Sequence, residues 1–443
     1  MQRLWFAILL AACSILPAAI LPAQGRTSYV PAGQTCDGWP RAPIAMAPGY
    51  CAGIVVAPPA DFAARTLRMP RVLLPLPGGK DFLVTDVGRW DNTGGKIFRL
   101  TAERGKPVIL TPVLTDLYMP HNIMRGPDGK VYVNEIGRIF RFDPGDPQAT
   151  IETVIAGLPD TRNHFSLHPL SSFMFDANKD LLVAVGAPTD QCTKDGVADG
   201  TDFCAQSEGA DKAAVVRRYA YQGGGKYAPD FTVMAQGLRN SVAMVRHGSG
   251  TLLQAENGMD FAPADSPFEE LNVLKQGAHY GWPYCYEMQS TAPVWAQAHV
   301  MDCSGPAHTK PLRLLPPHSA PLSMLYYDSA MFPKLRGKLL MSLHGYRAAG
   351  ARIVAFTVDR HGIPLLVPNA HYDAYAGPEG DQTVSLPYAG PASEPLILTP
   401  GWNNVNGSHP LGAPLGLSVA EDGAIWVVED RNTSILRIAR DRP

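Results

Sequence analysis

The sequence predicts an all-β protein, and specifically a six-bladed β-propeller of four-stranded antiparallel blades. A polar turn followed by a short β-rich triplet occurs six times, and a second β-like run follows most of the triplets. A short antiparallel sheet cannot bury both of its faces alone, whereas six sheets arranged radially cover one another and leave only protected edges. The triplets begin at Phe82, Val131, Leu181, Leu252, Leu339 and Ile425.

The turns and the spacing support this repeat. Asp128-Gly129 and Asp422-Gly423 supply the positive φ that a tight hairpin requires. Successive triplets are separated by 49, 50, 71, 87 and 86 residues, so the unit is constant while its loops lengthen. A β-sandwich with a second domain and a β-solenoid are the alternatives, but regular solenoids do not have repeats of such different length. The second runs begin at Lys96, Arg138, Val215, Glu270, Arg352 and Ile435.

Residues 1–25 have the composition of an export signal. Arg3 precedes an apolar run from Leu4 to Leu21, and Ala23-Gln24-Gly25 offers a small-x-small cleavage site. A retained membrane span is disfavoured because two prolines interrupt a run that barely reaches the roughly 20 residues required. The residues before Cys13 also resemble a bacterial lipobox, so a lipid anchor at Cys13 stays open.

Residues 26–443 are then predicted to form a single propeller domain. The segment from Gln24 to about Arg71 precedes the first triplet, and we expect it to cap the ring or to complete a blade. No later segment is long and apolar enough to cross a membrane. With 38 basic against 40 acidic side chains and a net charge of -2, the chain has no electrostatic footprint for nucleic acid or anionic membrane.

Six cysteines remain once Cys13 is assigned to the signal. An even number suits disulfides in an exported protein, and pairing in sequence order gives three local bridges, the simplest of fifteen connectivities. Zinc coordination is the competing interpretation, but none of these cysteines has CxxC or tight Cys/His spacing. The six are Cys36, Cys51, Cys192, Cys204, Cys285 and Cys303.

Candidate functional residues lie in the linkers between triplets, because propellers bind ligands on the loops at the channel mouth. There is no Gly-x-Gly-x-x-Gly opening a helix, no Walker loop, no His-Glu-x-x-His and no Gly-x-Ser-x-Gly. Trp282 is interpreted either as core packing or as part of the site. The polar segments are Met119–Asn122, Asn163–Pro169, Gly237–Asn240, Glu256–Asp260, Glu269–Asn272, Pro316–Pro321 and His344–Arg347.

Taken together, these segments resemble the glucose/sorbosone dehydrogenases, which are six-bladed propellers that use pyrroloquinoline quinone. The resemblance extends from about Tyr118 to Arg440 and is strongest between Gly237 and Cys285, where Gly-Leu-Arg-Asn, Glu-Asn-Gly, Glu-Glu-Leu-Asn and His-Tyr-Gly-Trp-Pro follow in order. The segment His318–Leu322 and the His-Gly pair at 344–345 are similar to the sorbosone dehydrogenase branch in particular.

The resemblance implies a role for several residues. His168, seven residues before Phe175, falls in the position of the histidine that removes the hydroxyl proton while hydride passes to the quinone, and His164 is the second choice. Arg239 and Asn240 match the pair beside the quinone, and Arg239 would also stabilise charge on its reduced oxygen. Calcium is implied between the cofactor and the backbone carbonyls of two residues, Gly258 and Met259.

The chain also departs from the family. Ser172, His344 and Ala413 stand where relatives place arginine, lysine and arginine, and Met259 stands where glucose-oxidising relatives place proline. His344 and Arg347 are nevertheless assigned to cofactor binding. Arg431 is a further cation that could substitute in space.

The resemblance predicts an exported dehydrogenase that oxidises an aldose or a sorbosone-like aldehyde and passes electrons to a soluble or membrane acceptor. A calcium-dependent lactonase-like hydrolase is the second hypothesis, with Glu135, Asn257 and Asp430 as candidate metal ligands. A noncatalytic propeller that binds a partner is the third, and the missing cations are the argument for it.

Overall fold

The computed structural model is an all-β ring with almost no helix. It describes residues 29, 33–59, 61–162, 164–170, 172–195, 197–200, 202–209, 211–261, 266–345, 350–365, 371–377, 380–385, 396–400, 402, 405–406, 409–410 and 412–441. The predicted signal and Cys13 lie outside these residues and stay predictions. No helix among the described residues is long and apolar enough to cross a membrane.

Six antiparallel sheets form the blades of the predicted six-bladed propeller. Blade 1 contains Pro70–Pro75, Asp81–Asp86, Gly95–Thr101 and Ile109–Leu117. Blade 2 contains Ile123–Arg125, Val131–Glu135, Arg138–Phe142 and Glu152–Ala156. Blade 3 contains Ser172–Phe175, Leu181–Val185, Val215–Tyr219 and Thr232–Gln236, with Ala278–His279 added in parallel at its edge.

The remaining three blades have the same order of strands. Blade 4 contains Ala243–Arg246, Leu252–Glu256, Glu269–Val273 and Arg313–Leu315. Blade 5 contains Pro321–Tyr326, Leu339–Leu343, Arg352–Phe356 and Leu396–Ile397. Blade 6 contains Pro414–Val419, Ile425–Glu429, Ser434–Arg440 and, from the other end of the chain, Tyr50–Val56.

All six predicted triplets lie in the second strands of their blades, and all six second runs lie in the third strands, so the predicted repeat is confirmed. The triplets bury their side chains between neighbouring sheets, where, for example, the rings of Phe82 in blade 1 and Trp426 in blade 6 lie 4.2 Å apart. First strands contact one another between blades 1 and 2, and from blade 3 through blade 6 back to blade 1.

The N-terminal segment completes a blade rather than capping the ring. Tyr50–Val56 pairs antiparallel with the last strand, with Tyr50 opposite Arg440 and Cys51 opposite Ala439. The ring is therefore closed by one strand from the beginning of the chain and three from its end. The predicted disulfides are also confirmed: Cys36–Cys51, Cys192–Cys204 and Cys285–Cys303.

Short elements decorate the loops. Two-stranded ladders join Thr35–Cys36 with Trp39–Pro40, Thr193–Lys194 with Val197–Ala198, Tyr221–Gly223 with Lys226–Tyr227, Cys285–Tyr286 with Ser290–Thr291, His371–Gly377 with Gly380–Ser385, and Val405–Asn406 with His409–Pro410. The helical turns are Ala205–Glu208, Phe62–Ala64, Pro293–Trp295 and Pro333–Leu335.

Candidate functional site at one end of the channel

One end of the ring collects the predicted site residues, and we call it the mouth. In every blade the first and second strands are antiparallel neighbours. The segments that precede the first strands and those that follow the second strands therefore lie at the same end. The loops with His168, Arg239, Gly258 and His344 all belong to these two groups.

Polar contacts join each blade to the next around the mouth. The contacting residues lie near the starts of the first strands or near the ends of the second strands. In blade order they are Thr85 Oγ1 to His121 O, Asn122 Nδ2 to Phe173 O, Ala187 N to Arg239 O, Asn257 Nδ2 to Pro321 O, His344 Nε2 to Asp430 Oδ1, and Arg71 Nη1 to Asp430 Oδ2. Together these six contacts fix the relative positions of loops from all six blades.

His168 is held in one tautomer. Its Nδ1 lies 2.6 Å from the backbone oxygen of Ala187, and a carbonyl can only accept, so Nδ1 carries the proton. In the neutral ring, Nε2 is then left with a lone pair. Burial and the nearby charge of Arg239 lower the pKa of His168 to about 4, although the bond to Ala187 opposes them. The imidazole is therefore neutral, and able to accept a proton, at neutral pH.

The low pKa gives a prediction for the cofactor-free protein. A solvent-exposed histidine titrates near pH ~6.5, so between ~6.5 and about 4 the unfolded chain binds a proton that folded His168 does not. The stability from neutral His168 is complete above ~6.5 and is lost as the pH falls toward 4. We expect an NMR titration to show the His168 ring protonating near pH 4, with His168→Asn assigning its signal; a midpoint near 6.5 would contradict this.

Arg239 lies beside His168 in a site of mixed charge. Its buried guanidinium contacts Asp190 Oδ1 at 2.8 Å and Asp260 Oδ2 at 2.7 Å, and donates to Asn257 O at 3.1 Å. The segment after the second strand of blade 3 bridges the two residues, since Ala187 accepts from His168 and donates to Arg239 O at 2.7 Å. The predicted base and the predicted cation are thus brought together.

Gly186 lies between His168 and Asn240. A Cβ added to Gly186 would meet His168 Cβ at 2.6 Å and would come to an ordinary contact of 3.5 Å with Asn240 Oδ1. Only a residue without a side chain therefore allows His168 to pack against this position. The Asn240 backbone is held by Glu256, which accepts from its N–H at 2.9 Å.

Asp190 and Asp260 were missed by the sequence reasoning, although Asp260 lies within one of its polar segments. Asp190 accepts from Asp260 N at 2.9 Å, and its backbone oxygen accepts from Trp282 Nε1 at 2.8 Å. Trp282 is buried, so its role as core packing is confirmed, and that packing also holds Asp190 toward Arg239. A tryptophan donor from a distant loop leaves no local signal in the sequence.

The loop with Gly258 and Met259 is held by a buried glutamate. Glu269 Oε2 accepts from Gly258 N at 2.5 Å and Oε1 accepts from Ala320 N at 3.1 Å, so it ties the loops of blades 4 and 5 together. Burial raises the pKa of Glu269 to about 7, against the lowering effect of these two bonds. The bond to Gly258 N fixes the peptide that immediately precedes the two carbonyls, of Gly258 and Met259, that the resemblance assigns to calcium.

On the opposite side of the mouth, His344, Asp430 and Arg71 form a series of side-chain contacts. His344 Nε2 lies 2.8 Å from Asp430 Oδ1, and Arg71 Nη1 lies 2.9 Å from Asp430 Oδ2. Burial raises the pKa of Asp430, but the charge and hydrogen bond of His344 and the charge of Arg71 lower it overall. Arg71 was missed by the sequence reasoning because it lies in a first strand, and Arg347 lies outside the described residues.

Two of the positions without a cation have structural roles here. Ser172 is buried and its Oγ accepts from Asn122 Nδ2 at 3.1 Å. Ala413 is fully buried and its N–H donates to Glu429 Oε1 at 2.9 Å.

His164, the second choice for the base, is exposed. His318 is held through Nε2 by Ser266 O at 2.9 Å.

The three candidate metal ligands of the hydrolase hypothesis are each engaged by protein partners. Glu135 accepts from Tyr118 N and from Arg138 Nε, Asp430 pairs as above, and Asn257 Nδ2 donates to two backbone oxygens. Over the part of the chain that the structure describes, no group of three or more His, Cys, Asp or Glu is placed to hold a metal ion.

Comparison with known proteins agrees with this description. Residues 148–360 match the family model described as Glucose / Sorbosone dehydrogenase. This stretch contains His168, Arg239, Asn240, Gly258, Met259 and His344, and the resemblance to that family is confirmed. The placement in the sorbosone branch stays a prediction. No curated protein sequence is similar enough to count as a match.

Solved structures share the ring. A Trichoderma reesei Carbohydrate-Active Enzymes Family AA12 protein aligns over 94% of this chain and 99% of its own, at 18% identity and a TM-score of 0.65. The holo form of the PQQ domain of a Coprinopsis cinerea pyranose dehydrogenase aligns over 92% of this chain and 100% of its own, at 20% identity and a TM-score of 0.63. The PQQ-bound aldose sugar dehydrogenase of Streptomyces coelicolor aligns over 90% of this chain and 100% of its own, at 18% identity and a TM-score of 0.53. At these identities the likeness establishes the fold.

Proposed function

We propose, from the match of residues 148–360 to the glucose/sorbosone dehydrogenase family model, that this chain is a dehydrogenase dependent on pyrroloquinoline quinone. Its substrate would be an aldose or a sorbosone-like aldehyde. The observation that carries the proposal is the base-competent His168 beside Arg239 and Asn240. The names of the structural neighbours, which include PQQ-bound sugar dehydrogenases, support it.

The residues at the mouth fit an anionic quinone. Arg239 Nε is buried without a hydrogen-bond partner among the described residues, so it has a donor to give to such a ligand. Gly258 and Met259 offer backbone oxygens, which are the ligands that calcium prefers. When bound, pyrroloquinoline quinone would supply the two-electron acceptor for the substrate's hydride, and calcium a Lewis acid.

His168 would act as the general base. Its Nδ1 keeps its proton, which it donates to the Ala187 carbonyl, so the proton of the substrate hydroxyl can pass only to Nε2. Arg239 is fixed by Asp190 and Asp260 and would hold positive charge next to that ring. This charge would stabilise negative charge that develops on the bound quinone. Asn240 would orient the ligand from the same side.

We also propose that the protein is exported, with residues 1–25 removed and residues 26–443 forming one propeller domain. Three disulfides are typical of an oxidising compartment. The electrons would pass to a soluble or membrane acceptor. The hydrolase hypothesis has no comparable support, because its three side chains are each engaged by protein partners.

The test is a titration of the disulfide-intact protein with pyrroloquinoline quinone and calcium, followed by aldoses and sorbosone with a dye acceptor. We expect one-to-one binding and substrate-dependent reduction of the dye. Failure to bind the quinone, alongside capture of a partner, would favour the noncatalytic propeller. Calcium-dependent lactone hydrolysis without quinone would favour the hydrolase.

A further inference from the structure

Arg71 is a buried cation with hydrogen-bonding capacity left over. It lies near the mouth end of the first strand of blade 1 and is only 4% exposed. Nη1 is paired with Asp430, but Nε is buried with no partner in the described part of the chain. Leaving a guanidinium donor buried and unpaired costs free energy. Arg99 and Arg217 also bury an Nε of this kind, but away from the mouth, so it is the place of Arg71 at the mouth that makes its donor available to a ligand.

The two sides of the mouth differ in their ion pairs. Arg71 pairs with one carboxylate, that of Asp430, which also contacts His344. Arg239, on the other side, pairs with two, those of Asp190 and Asp260. Arg71 therefore has fewer carboxylates against its guanidinium and is the better placed of the two to receive an anionic group.

An exposed aromatic ring lies over the same cation. Trp90, in the mouth loop of blade 1, has its ring centroid 5.3 Å from Arg71 Cζ and is 58% exposed. The other tryptophans of the described residues are buried. A large exposed ring stacked on a buried cation at the mouth offers a surface to a planar ligand.

We infer that Arg71 binds a carboxylate of the quinone cofactor and supplies the cation that this chain lacks at position 344. Glucose-oxidising relatives carry a lysine where this chain has His344. His344 of blade 5 and Arg71 of blade 1 both contact the carboxylate of Asp430 in blade 6, which lies between them. Trp90 covers the guanidinium and is shielded when the planar ligand binds. This inference rests on the proposed function.

The experiment measures binding of pyrroloquinoline quinone, with calcium present, by calorimetry. We expect Arg71→Gln to weaken binding about tenfold or more, the effect of losing a hydrogen bond to a charged group. The quinone affinity of Arg71→Lys should lie between those of the unmodified protein and Arg71→Gln, because lysine keeps the charge but not the planar donors. Arg89→Gln is the matched control: this exposed arginine precedes Trp90 and pairs with Asp91.

Arg71→Gln also leaves Asp430 without its cation, so a second variant separates binding from folding. The double variant Arg71→Gln/Asp430→Asn removes both charges, and we expect it to fold and still to bind weakly. As an independent readout, the quinone should protect Trp90 from acrylamide quenching in the unmodified protein and not in Arg71→Gln.

The outcomes separate the two proposals. If the unmodified protein binds the quinone and the folded Arg71 variants bind it equally well, Arg71 is excluded and the proposed function stands. If the unmodified protein does not bind the quinone, the proposed function fails and this inference fails with it.

Discussion

Replacing His168 by alanine is expected to lower kcat of the quinone-loaded protein by about 10²- to 10⁴-fold, the usual contribution of a general base. The reason is the fixed tautomer, since Nε2 of His168 is the atom left to accept the hydroxyl proton. Quinone affinity should change by much less, because His168 contributes no charge at neutral pH. Steady-state kinetics with a dye acceptor and a separate binding titration measure the two effects.

His164→Ala is the matched control for this prediction. His164 is on the same mouth loop, four residues earlier, but it is exposed. We expect its replacement to leave kcat nearly unchanged. If His164→Ala removed turnover and His168→Ala did not, the base would have to be reassigned to His164.

The second large effect concerns ring closure. Ile54 lies in the N-terminal strand that completes blade 6, and it is 6% exposed within the core between blades 5 and 6. Ile54→Asp would bury an unpaired carboxylate in the one sheet built from both ends of the chain. We expect the free energy of unfolding to fall by on the order of 4 kcal/mol.

Thermal and denaturant unfolding, followed by circular dichroism, measure this loss. Ile109→Asp is the matched control, since Ile109 begins the outermost strand of blade 1 and is 56% exposed. That variant should unfold almost like the parent. Equal stability of Ile54→Asp and the parent would mean that the closing strand is not part of the cooperative core.

The blades were predictable because their information is local. A hairpin turn, a buried triplet and a second β-run follow one another within about twenty residues in most blades, so the alternation of side chains is visible in the sequence. The disulfides follow the same logic, since each one links cysteines 12 to 18 positions apart. His168, Arg239 and Asn240 were predicted from the resemblance to the family, and the structure brings them to the same side of the mouth.

The number of blades could thus be predicted from the repeat, sequential pairing of the cysteines was the simplest of the possible connectivities, and the resemblance to the family pointed to the residues on one side of the mouth. The other side required the three-dimensional structure, because Arg71 meets Asp430 across 359 positions of sequence. The tautomer of His168 and the pairing of Arg239 with Asp190 were decided there too. The physical reason is that ring closure brings loops of different blades together at distances that no local spacing encodes.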